Sequence, residues 1–317
     1  MKLEKLSKLD KIRSLHGGYW RYGFLDFYYL FNSYFPNKKI YGILGKELSS
    51  LVPNYPSTQK VIAKSFSKWN KKKYFNEDNL IISNGSSELI AILNRLITKI
   101  VIPIPTFNEY VRLPKEKIIL FPLKEKNNFQ LDSGELIETI RKTKSEYTVI
   151  NNPNNPTGNV TTKKEIKKIL KTGIITIIDE AFIDFCKEYS VEDLVPKYKN
   201  LVIIKSLTKG MGLGGLRIGY LLTTNGKIKD EIRKYLPIWN INSLAERFIE
   251  LFPDFKKDYD DSIQRIIKNR NSLFKKLKEI PYLESYKPFA NFIFCKTKIS
   301  SRKIAETLFN KHNILIK

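Results

Sequence analysis

The chain has 317 residues, 42% hydrophobic content and a formal net charge of +24. This length and hydrophobic content suffice for a large buried core, and they fit a large α/β domain with a smaller one. Two cysteines, Cys186 and Cys295, and two histidines, His16 and His312, provide neither a disulfide framework nor a metal cluster. Apolar runs fall far short of the roughly 18–20 residues that cross a membrane. We therefore expect a cytoplasmic protein with no membrane span and no bound metal.

The positive charge raises the question of nucleic-acid binding, because a basic surface can bind nucleic acid by releasing counterions. The lysines are scattered among acidic residues, the longest basic run is Lys71–Lys73, and no nucleic-acid module is recognisable. We expect no specific nucleic-acid partner, and a nucleic-acid binder is kept as a lesser alternative. Part of the charge would concentrate phosphorylated ligands near the protein.

Apolar runs and their periodicity predict alternating helices and buried strands. In chain order, they predict a helix over 57–69, a helix that includes 89–93, strands at 99–102, 147–150, 174–178, 201–204 and 217–222, and a helix over 254–278. In open α/β sheets, ligands bind at the carboxyl ends of the strands. Polar motifs that follow these strands are therefore candidate site residues.

One such motif, SLTKGMGLGGLRIGY, begins at Ser206, directly after the strand at 201–204. It places Lys209 three residues after Ser206 and eight before Arg217, among glycines. This spacing indicates a Schiff-base lysine inside a phosphate cradle. A lone lysine in such a loop is more often solvated, so the interpretation depends on the other motifs.

Three further motifs support it. NPNNPTG over Asn152–Gly158 follows one strand, and DEAF over Asp179–Phe182 follows the next. SNGSSE over Ser83–Glu88 precedes an apolar helix. Free backbone N–H groups at a helix N-terminus, together with small hydroxyls, bind a phosphate dianion.

In this order, the motifs resemble those of the fold-type I pyridoxal-phosphate enzymes of the aminotransferase class I and II family. The resemblance implies the aspartate aminotransferase-like α/β fold of pyridoxal-phosphate-dependent transferases, with a mostly parallel, doubly wound sheet in a large domain plus a small α/β domain. We expect the cofactor-binding domain to span residues 45–250, and residues 1–44 and 251–317 to form the small domain.

The resemblance also implies roles for individual residues. Pyridoxal phosphate acts as an electron sink while its ring nitrogen is protonated, so a carboxylate must lie against that nitrogen, and Asp179 matches this position. Lys209 matches the nucleophile and proton carrier. The other cofactor contacts implied are Gly85, Ser86, Ser87, Ser206 and Arg217 at the phosphate, Asn155 at the ring hydroxyl, Phe107 against the ring face, and Tyr55 from the neighbouring subunit of a homodimer. A loop acid and an ordinary core aromatic are the structural alternatives for Asp179 and Phe107.

The N-terminal segment resembles one branch of this family. His16-Gly17-Gly18, then Leu-Asp-Phe at 25–27 and Asn32, is similar to the opening of L-threonine O-3-phosphate decarboxylases. These enzymes serve cobalamin synthesis and are relatives of histidinol-phosphate aminotransferase. Phe182, where most aminotransferases have tyrosine, fits the same branch. The resemblance implies that His16, Gly17 and Asn32 bind the substrate. An aminotransferase acting on histidinol phosphate is the alternative, and a catalytically impaired relative is a lesser one.

The chain departs from the family pattern at the substrate side. Tyr19 stands where relatives usually have asparagine, and Leu30 replaces a polar residue. The sequence ends at Lys317 before the arginine that binds the substrate carboxylate in relatives. We expect either a truncated chain, a different carboxylate site or loss of activity.

Overall fold

The computed structural model describes residues 7–317. In chain order the helices are α1 (Lys8–Ser14), α2 (Lys38–Leu51), α3 (Gln59–Ser67), α4 (Ser86–Leu96), α5 (Ser133–Thr143), α6 (Lys163–Leu170), α7 (Leu207–Met211), α8 (Gly226–Tyr235), α9 (Ser243–Leu251), α10 (Lys256–Lys278) and α11 (Ser301–His312). The strands are β1 (Leu25–Asp26), β2 (Leu80–Asn84), β3 (Ile100–Ile104), β4 (Ile118–Pro122), β5 (Tyr147–Asn151), β6 (Ile175–Asp179), β7 (Leu201–Ser206), β8 (Ile218–Leu222), β9 (Leu283–Ser285), β10 (Cys295–Thr297) and β11 (Ile314–Leu315). Every helix and strand predicted from the sequence is present, with end points that differ by a few residues.

The chain forms two compact units. The larger comprises residues 31–274 and 286–294, and the smaller comprises residues up to 30, 275–285 and 295–317. These bounds differ from the predicted division, because residues 31–44, 251–274 and 286–294 belong to the larger unit. Within that unit, α2 packs against α9, which also packs against α3. The predicted division of function between the domains stays a prediction.

The larger unit contains a seven-stranded mixed sheet in the order β2-β8-β7-β6-β5-β3-β4. The pairs from β7 through β6, β5 and β3 to β4 are parallel, whereas β8 is antiparallel to both β2 and β7. The central strands are apolar runs rich in isoleucine and valine, and their residues are buried on both faces. Such continuous apolar strands are typical of sheets covered by helices on both sides.

The helices are fixed by apolar faces and by capping side chains. In α6, Ile166, Ile169 and Leu170 are buried, at the i, i+3 and i+4 spacing of one helix face. Thr162 caps this helix by accepting a hydrogen bond from the backbone N–H of Glu165. Asparagine and aspartate caps begin α2, α5, α8 and α9 in the same way.

The strand register brings the polar ends of the strands to one edge of the sheet. Asn151 pairs with Asp179, and Asp179 pairs with Ile204, two residues before Ser206. Ser206 and Ser83 both pair with Gly219 of β8. Because β2 and β7 are both antiparallel to β8, they run parallel to each other and end at the same edge. The loops after β2, β5, β6 and β7 therefore meet there, as the sequence predicts.

The smaller unit has its own core and sheets. β1 pairs in parallel with β11, and β9 pairs antiparallel with β10. Its core includes Leu9, Tyr19, Phe309 and Leu315. Over residues 7–317, no helix is long and apolar enough to span a membrane.

Candidate active site

Asp179 ends β6 and is buried at the polar edge of the sheet, with only 6% of its surface exposed. Its Oδ2 accepts a hydrogen bond from the Tyr110 hydroxyl at 2.8 Å, and its Oδ1 accepts one from the Ala181 N–H at 2.9 Å. Burial raises the pKa of Asp179, and the two hydrogen bonds and the nearby charge of Lys209 offset this only in part. A cationic partner would favour the ionised carboxylate.

Lys209 lies in α7, the short helix that follows β7, and it is half-buried. Its Nζ lies 6.0 Å from the ring centroid of Phe182, which is buried and packs edge-on against Phe292 with 5.1 Å between ring centroids. Ser206 is buried at the end of β7, three residues before the lysine. The lysine amine is therefore close to an apolar aromatic wall at the same sheet edge as Asp179.

The Arg217 guanidinium lies at the N-terminus of α4. Its Nη2 donates to Ser87 Oγ at 3.1 Å, and its Nη1 donates to Thr208 Oγ1 at 3.4 Å. It also lies directly over Gly85, where an added Cβ would come within 2.3 Å of Nη2. Gly85 has φ +73°, a left-handed conformation that favours glycine. A guanidinium beside a helix N-terminus places two positive features together, which fits an anion between them.

A second glycine allows the backbones around this anion site to approach closely. A Cβ on Gly219 would lie 2.5 Å from the Ser86 nitrogen and 2.9 Å from the Lys205 carbonyl oxygen. Only glycine therefore allows β8 to pack between β7 and the start of α4 at this distance. The cradle predicted from Gly85, Ser86, Ser87 and Arg217 is brought together in the structure, with Ser206 at the end of the adjacent strand.

Phe107 and Asn155 follow β3 and β5 on the same edge. Phe107 is half-buried and packs edge-on against Tyr110, with 6.4 Å between the ring centroids. Asn155 is half-buried in a loop that its neighbour Asn154 fixes, by donating to the Pro105 carbonyl and to Thr157 Oγ1. The contacts of Phe107 with a ring face and of Asn155 with a ring hydroxyl stay predictions.

Tyr55 is 77% exposed and stacks on Trp239, with 4.2 Å between ring centroids and 22° between ring planes. This exposure is compatible with the predicted contact to a neighbouring subunit, which stays a prediction. His16 is exposed and, with Gly17, belongs to the smaller unit. The substrate contacts predicted for these two residues also stay predictions.

Asn32, the third residue predicted to bind the substrate, is enclosed by protein groups. It is only 1% exposed, and its Nδ2 donates to the Gly210 carbonyl at 2.9 Å and to Ser262 Oγ at 2.7 Å. Its Oδ1 accepts a hydrogen bond from the Tyr34 N–H at 2.9 Å. This amide therefore contacts the turn that follows Lys209, and its predicted contact with the substrate stays a prediction.

Sequence reasoning missed the partners of these residues. Tyr110 was not identified as the donor to Asp179, nor Thr208 as a partner of Arg217. The pattern Pro105-Thr-Phe-Asn-Glu-Tyr110 contains one signal, because a tyrosine three residues after Phe107 can lie beside it on a helical turn. The strand order needed to place it beside Asp179 comes only from the fold.

The fold and this edge together define an α/β enzyme with a lysine, a buried carboxylate and an anion cradle. A model of the family described as aminotransferase class I and II matches residues 46–317. The chain belongs to this family of pyridoxal-phosphate enzymes.

Several relatives are similar over much of the chain. The CMP-5'-(3-aminopropyl)phosphonate synthase of Streptomyces rubellomurinus is 31% identical over 314 residues, covering 96% of this chain and 49% of the relative. The histidinol-phosphate aminotransferase of Clostridium novyi is 34% identical, with 74% and 66% covered. The L-serine phosphate decarboxylase of Sulfurospirillum multivorans is 28% identical, with 92% and 79% covered. This chain thus spans about half the length of the first of these relatives.

Among solved structures, the histidinol-phosphate aminotransferase of Clostridium acetobutylicum superposes with a TM-score of 0.81 at 28% identity, covering 92% of this chain and 88% of that one. This similarity confirms the predicted fold class. It also agrees with the seven-stranded sheet and its antiparallel β8.

The residues at the sheet edge fit pyridoxal phosphate by their chemistry. A protonated ring nitrogen would supply a cation that stabilises the ionised form of the buried Asp179 carboxylate. The cofactor phosphate would satisfy the two positive features at Gly85 and Arg217. Lys209 lies on the same edge and would provide the amine that holds the aldehyde.

Proposed function

We propose that this chain catalyses the pyridoxal-phosphate-dependent decarboxylation of L-threonine O-3-phosphate to aminopropanol phosphate and carbon dioxide, in cobalamin biosynthesis. The observation that carries the proposal is the aromatic wall of Phe182 and Phe292 beside Lys209, at the sheet edge that holds Asp179. An apolar wall solvates a carboxylate poorly and so favours its departure as neutral carbon dioxide. A tyrosine at position 182 would have put a hydroxyl there instead.

Each residue of the site has a task in this reaction. When bound, pyridoxal phosphate supplies an electron sink for the bond that breaks at the substrate Cα. Asp179 would hold the proton on the ring nitrogen, and Tyr110 and Ala181 keep its carboxylate oriented. Arg217, Ser87 and the first N–H groups of α4 would bind the cofactor phosphate. The Lys209 amine would hold the cofactor between turnovers and deliver a proton to Cα.

The substrate and subunit contacts that we propose are those implied by the sequence resemblance. His16 and Gly17 of the smaller unit are proposed to contact the substrate phosphate. A homodimer is proposed in which Tyr55 reaches the neighbouring cofactor phosphate. An exposed apolar surface supports this, because Val52 and Ile238, 78% and 75% exposed, line the same groove as Tyr55 and Trp239. A cytoplasmic location is proposed along with this function.

An aminotransferase acting on histidinol phosphate is the second candidate. It is favoured by the similarity to the Clostridium novyi enzyme, which is 34% identical over 241 residues. The same cofactor residues serve both reactions. In the aminotransferase, Lys209 would remove the Cα proton and carry it to the cofactor, and a keto acid would be required.

The test is carbon dioxide release from carboxyl-labelled L-threonine O-3-phosphate, with pyridoxal phosphate and no keto acid. The same assay with carboxyl-labelled L-serine O-phosphate shows whether the enzyme requires the methyl group of the threonine substrate. We expect release with many turnovers by the wild type and none by Lys209→Ala, which also loses borohydride-trapped cofactor. Amino transfer from histidinol phosphate to 2-oxoglutarate, without gas release, would favour the second candidate. Cofactor trapped covalently in Lys209→Ala would contradict the lysine assignment.

A further inference from the structure

The short helix that carries Lys209 ends in carbonyl groups that need partners from elsewhere. α7 spans only Leu207–Met211, so no backbone N–H group within the helix donates to its last carbonyls. Asn32 bonds to two of them. Its backbone N–H donates to the Lys209 carbonyl at 3.0 Å, and its Nδ2 donates to the Gly210 carbonyl at 2.9 Å.

The same amide joins this turn to α10. Its second Nδ2 hydrogen bond goes to Ser262 Oγ, which in turn donates to the Tyr259 carbonyl at 2.6 Å. Its Oδ1 accepts from the Tyr34 N–H, so the segment that carries Asn32 is itself held in place. A buried amide with both sides bonded has one orientation, and it transmits that orientation to the groups it binds.

Two glycines let the surrounding chain close on the Lys209 turn. A Cβ on Gly210 would lie 2.3 Å from Asp184 Oδ2. On Gly212, which has φ +67°, a Cβ would lie 2.2 Å from the Phe35 carbonyl oxygen and 2.5 Å from that of Asn32. The backbone after Lys209 is therefore enclosed by protein on more than one side. These contacts hold the main chain on the C-terminal side of Lys209 in place.

We propose that Asn32 is a positioning residue, which sets the place of the Lys209 amine by binding the Lys209 and Gly210 carbonyls. The inference rests on the proposed function only in taking Lys209 as the cofactor lysine, and it holds for either reaction. Holding an attacking group in place contributes to rate because a misplacement of about 1 Å can slow a reaction roughly a hundredfold.

The test compares Asn32→Asp with Asn200→Asp. The first change keeps size and the Oδ1 acceptor and removes the two Nδ2 hydrogen bonds. Asn200 is a matched control, because its Nδ2 also donates two hydrogen bonds, here to the carbonyls of Leu170 and Ile174, and it precedes β7 at the opposite edge of the sheet. The rate of covalent attachment of pyridoxal phosphate is followed by absorbance after mixing with cofactor-free protein, and borohydride trapping with peptide mass spectrometry locates the site.

We expect attachment at Lys209 to slow about tenfold or more in Asn32→Asp and to stay within about twofold of wild type in Asn200→Asp, although both changes lower the unfolding midpoint. Turnover should fall in the same proportion in Asn32→Asp, with KM nearly unchanged. If Asn32→Asp does not fold, Asn32→Ser, which introduces no charge, carries the same expectation. Wild-type attachment rates in a folded Asn32 variant would overturn the inference. Failure of the wild type to attach cofactor at Lys209 would instead refute the lysine assignment in the proposed function.

Discussion

The two ends of the candidate cofactor site differ in their access to water. At the ring end, Asp179 and its donor Tyr110 are both buried. At the phosphate end, Ser87 is exposed and Arg217 is half-buried. Desolvation dominates the electrostatics of the first end, whereas solvent and salt screen the second. The ring end therefore has a buried carboxylate that a cationic partner would stabilise, and the phosphate end has a solvent-accessible anion site.

The largest effect is expected at the buried end, from Asp179→Asn. Without a negative charge the ring nitrogen loses its proton, and turnover should fall by about 10²–10³-fold. The cofactor-free variant should nevertheless be as stable as the wild type at neutral pH, or more so. The variant retains hydrogen bonds to both partners of the Asp179 carboxylate, because the asparagine Oδ1 accepts from the Ala181 N–H and its Nδ2 donates to the Tyr110 hydroxyl oxygen.

The pH dependence of stability gives a sharper form of this prediction. Burial raises the pKa of Asp179 in the folded protein, so its contribution to stability is present below its unfolded pKa and is lost as pH rises through the folded pKa. Relative to the wild type, Asp179→Asn should gain stability between acid and neutral pH. Urea unfolding of the cofactor-free proteins at several pH values measures this. If Asp179→Asn instead became less stable relative to the wild type as the pH rises from acid to neutral, the desolvation argument would be contradicted.

A smaller effect is expected at the open end, from Arg217→Gln. This change removes a charge-assisted hydrogen bond to the cofactor phosphate, which contributes about 1.5–3 kcal/mol, so the Kd of pyridoxal phosphate should rise about 10–100-fold. Salt should weaken binding to the wild type more than to the variant. Arg95→Gln is the matched control, since Arg95 lies in the last turn of the same helix, α4. Equal effects of both changes would point to net charge and not to the cradle.

The sequence predicts the edge of the sheet better than it predicts the contacts there. The buried strands are strongly apolar, and each is followed by a polar motif, so the convergence of Asp179, Ser206 and Lys209 follows from the rule for parallel strands. The apolar run of β4 was not identified as a strand, although Ile118-Ile-Leu-Phe121 contains the signal. The hydrogen bond from the Asn32 side chain to Gly210 could not be predicted from such strand patterns, because the two residues are 178 positions apart in the sequence.

Tyr110 shows the same limit, because 69 positions separate it from Asp179. Its removal should have the smallest effect of the three changes. Tyr110→Phe deletes one hydrogen bond to the carboxylate and leaves the Ala181 N–H in place, so turnover should fall only about 3–10-fold, the equivalent of about 0.5–1.5 kcal/mol. A tyrosine at the opposite edge, Tyr147, gives the control variant Tyr147→Phe.

The pH profile distinguishes this change from a general loss of packing. The Tyr110 hydrogen bond lowers the pKa of Asp179, so its loss should raise that pKa further. Activity that requires the ionised carboxylate should then be lost at a higher pH on acidification than in the wild type. Turnover measured from neutral to acid pH gives the midpoint of this limb for Tyr110→Phe and Tyr147→Phe. An unchanged midpoint in Tyr110→Phe would mean that Tyr110 orients Asp179 without tuning its charge, and the ring end would then depend on burial and the Ala181 N–H alone.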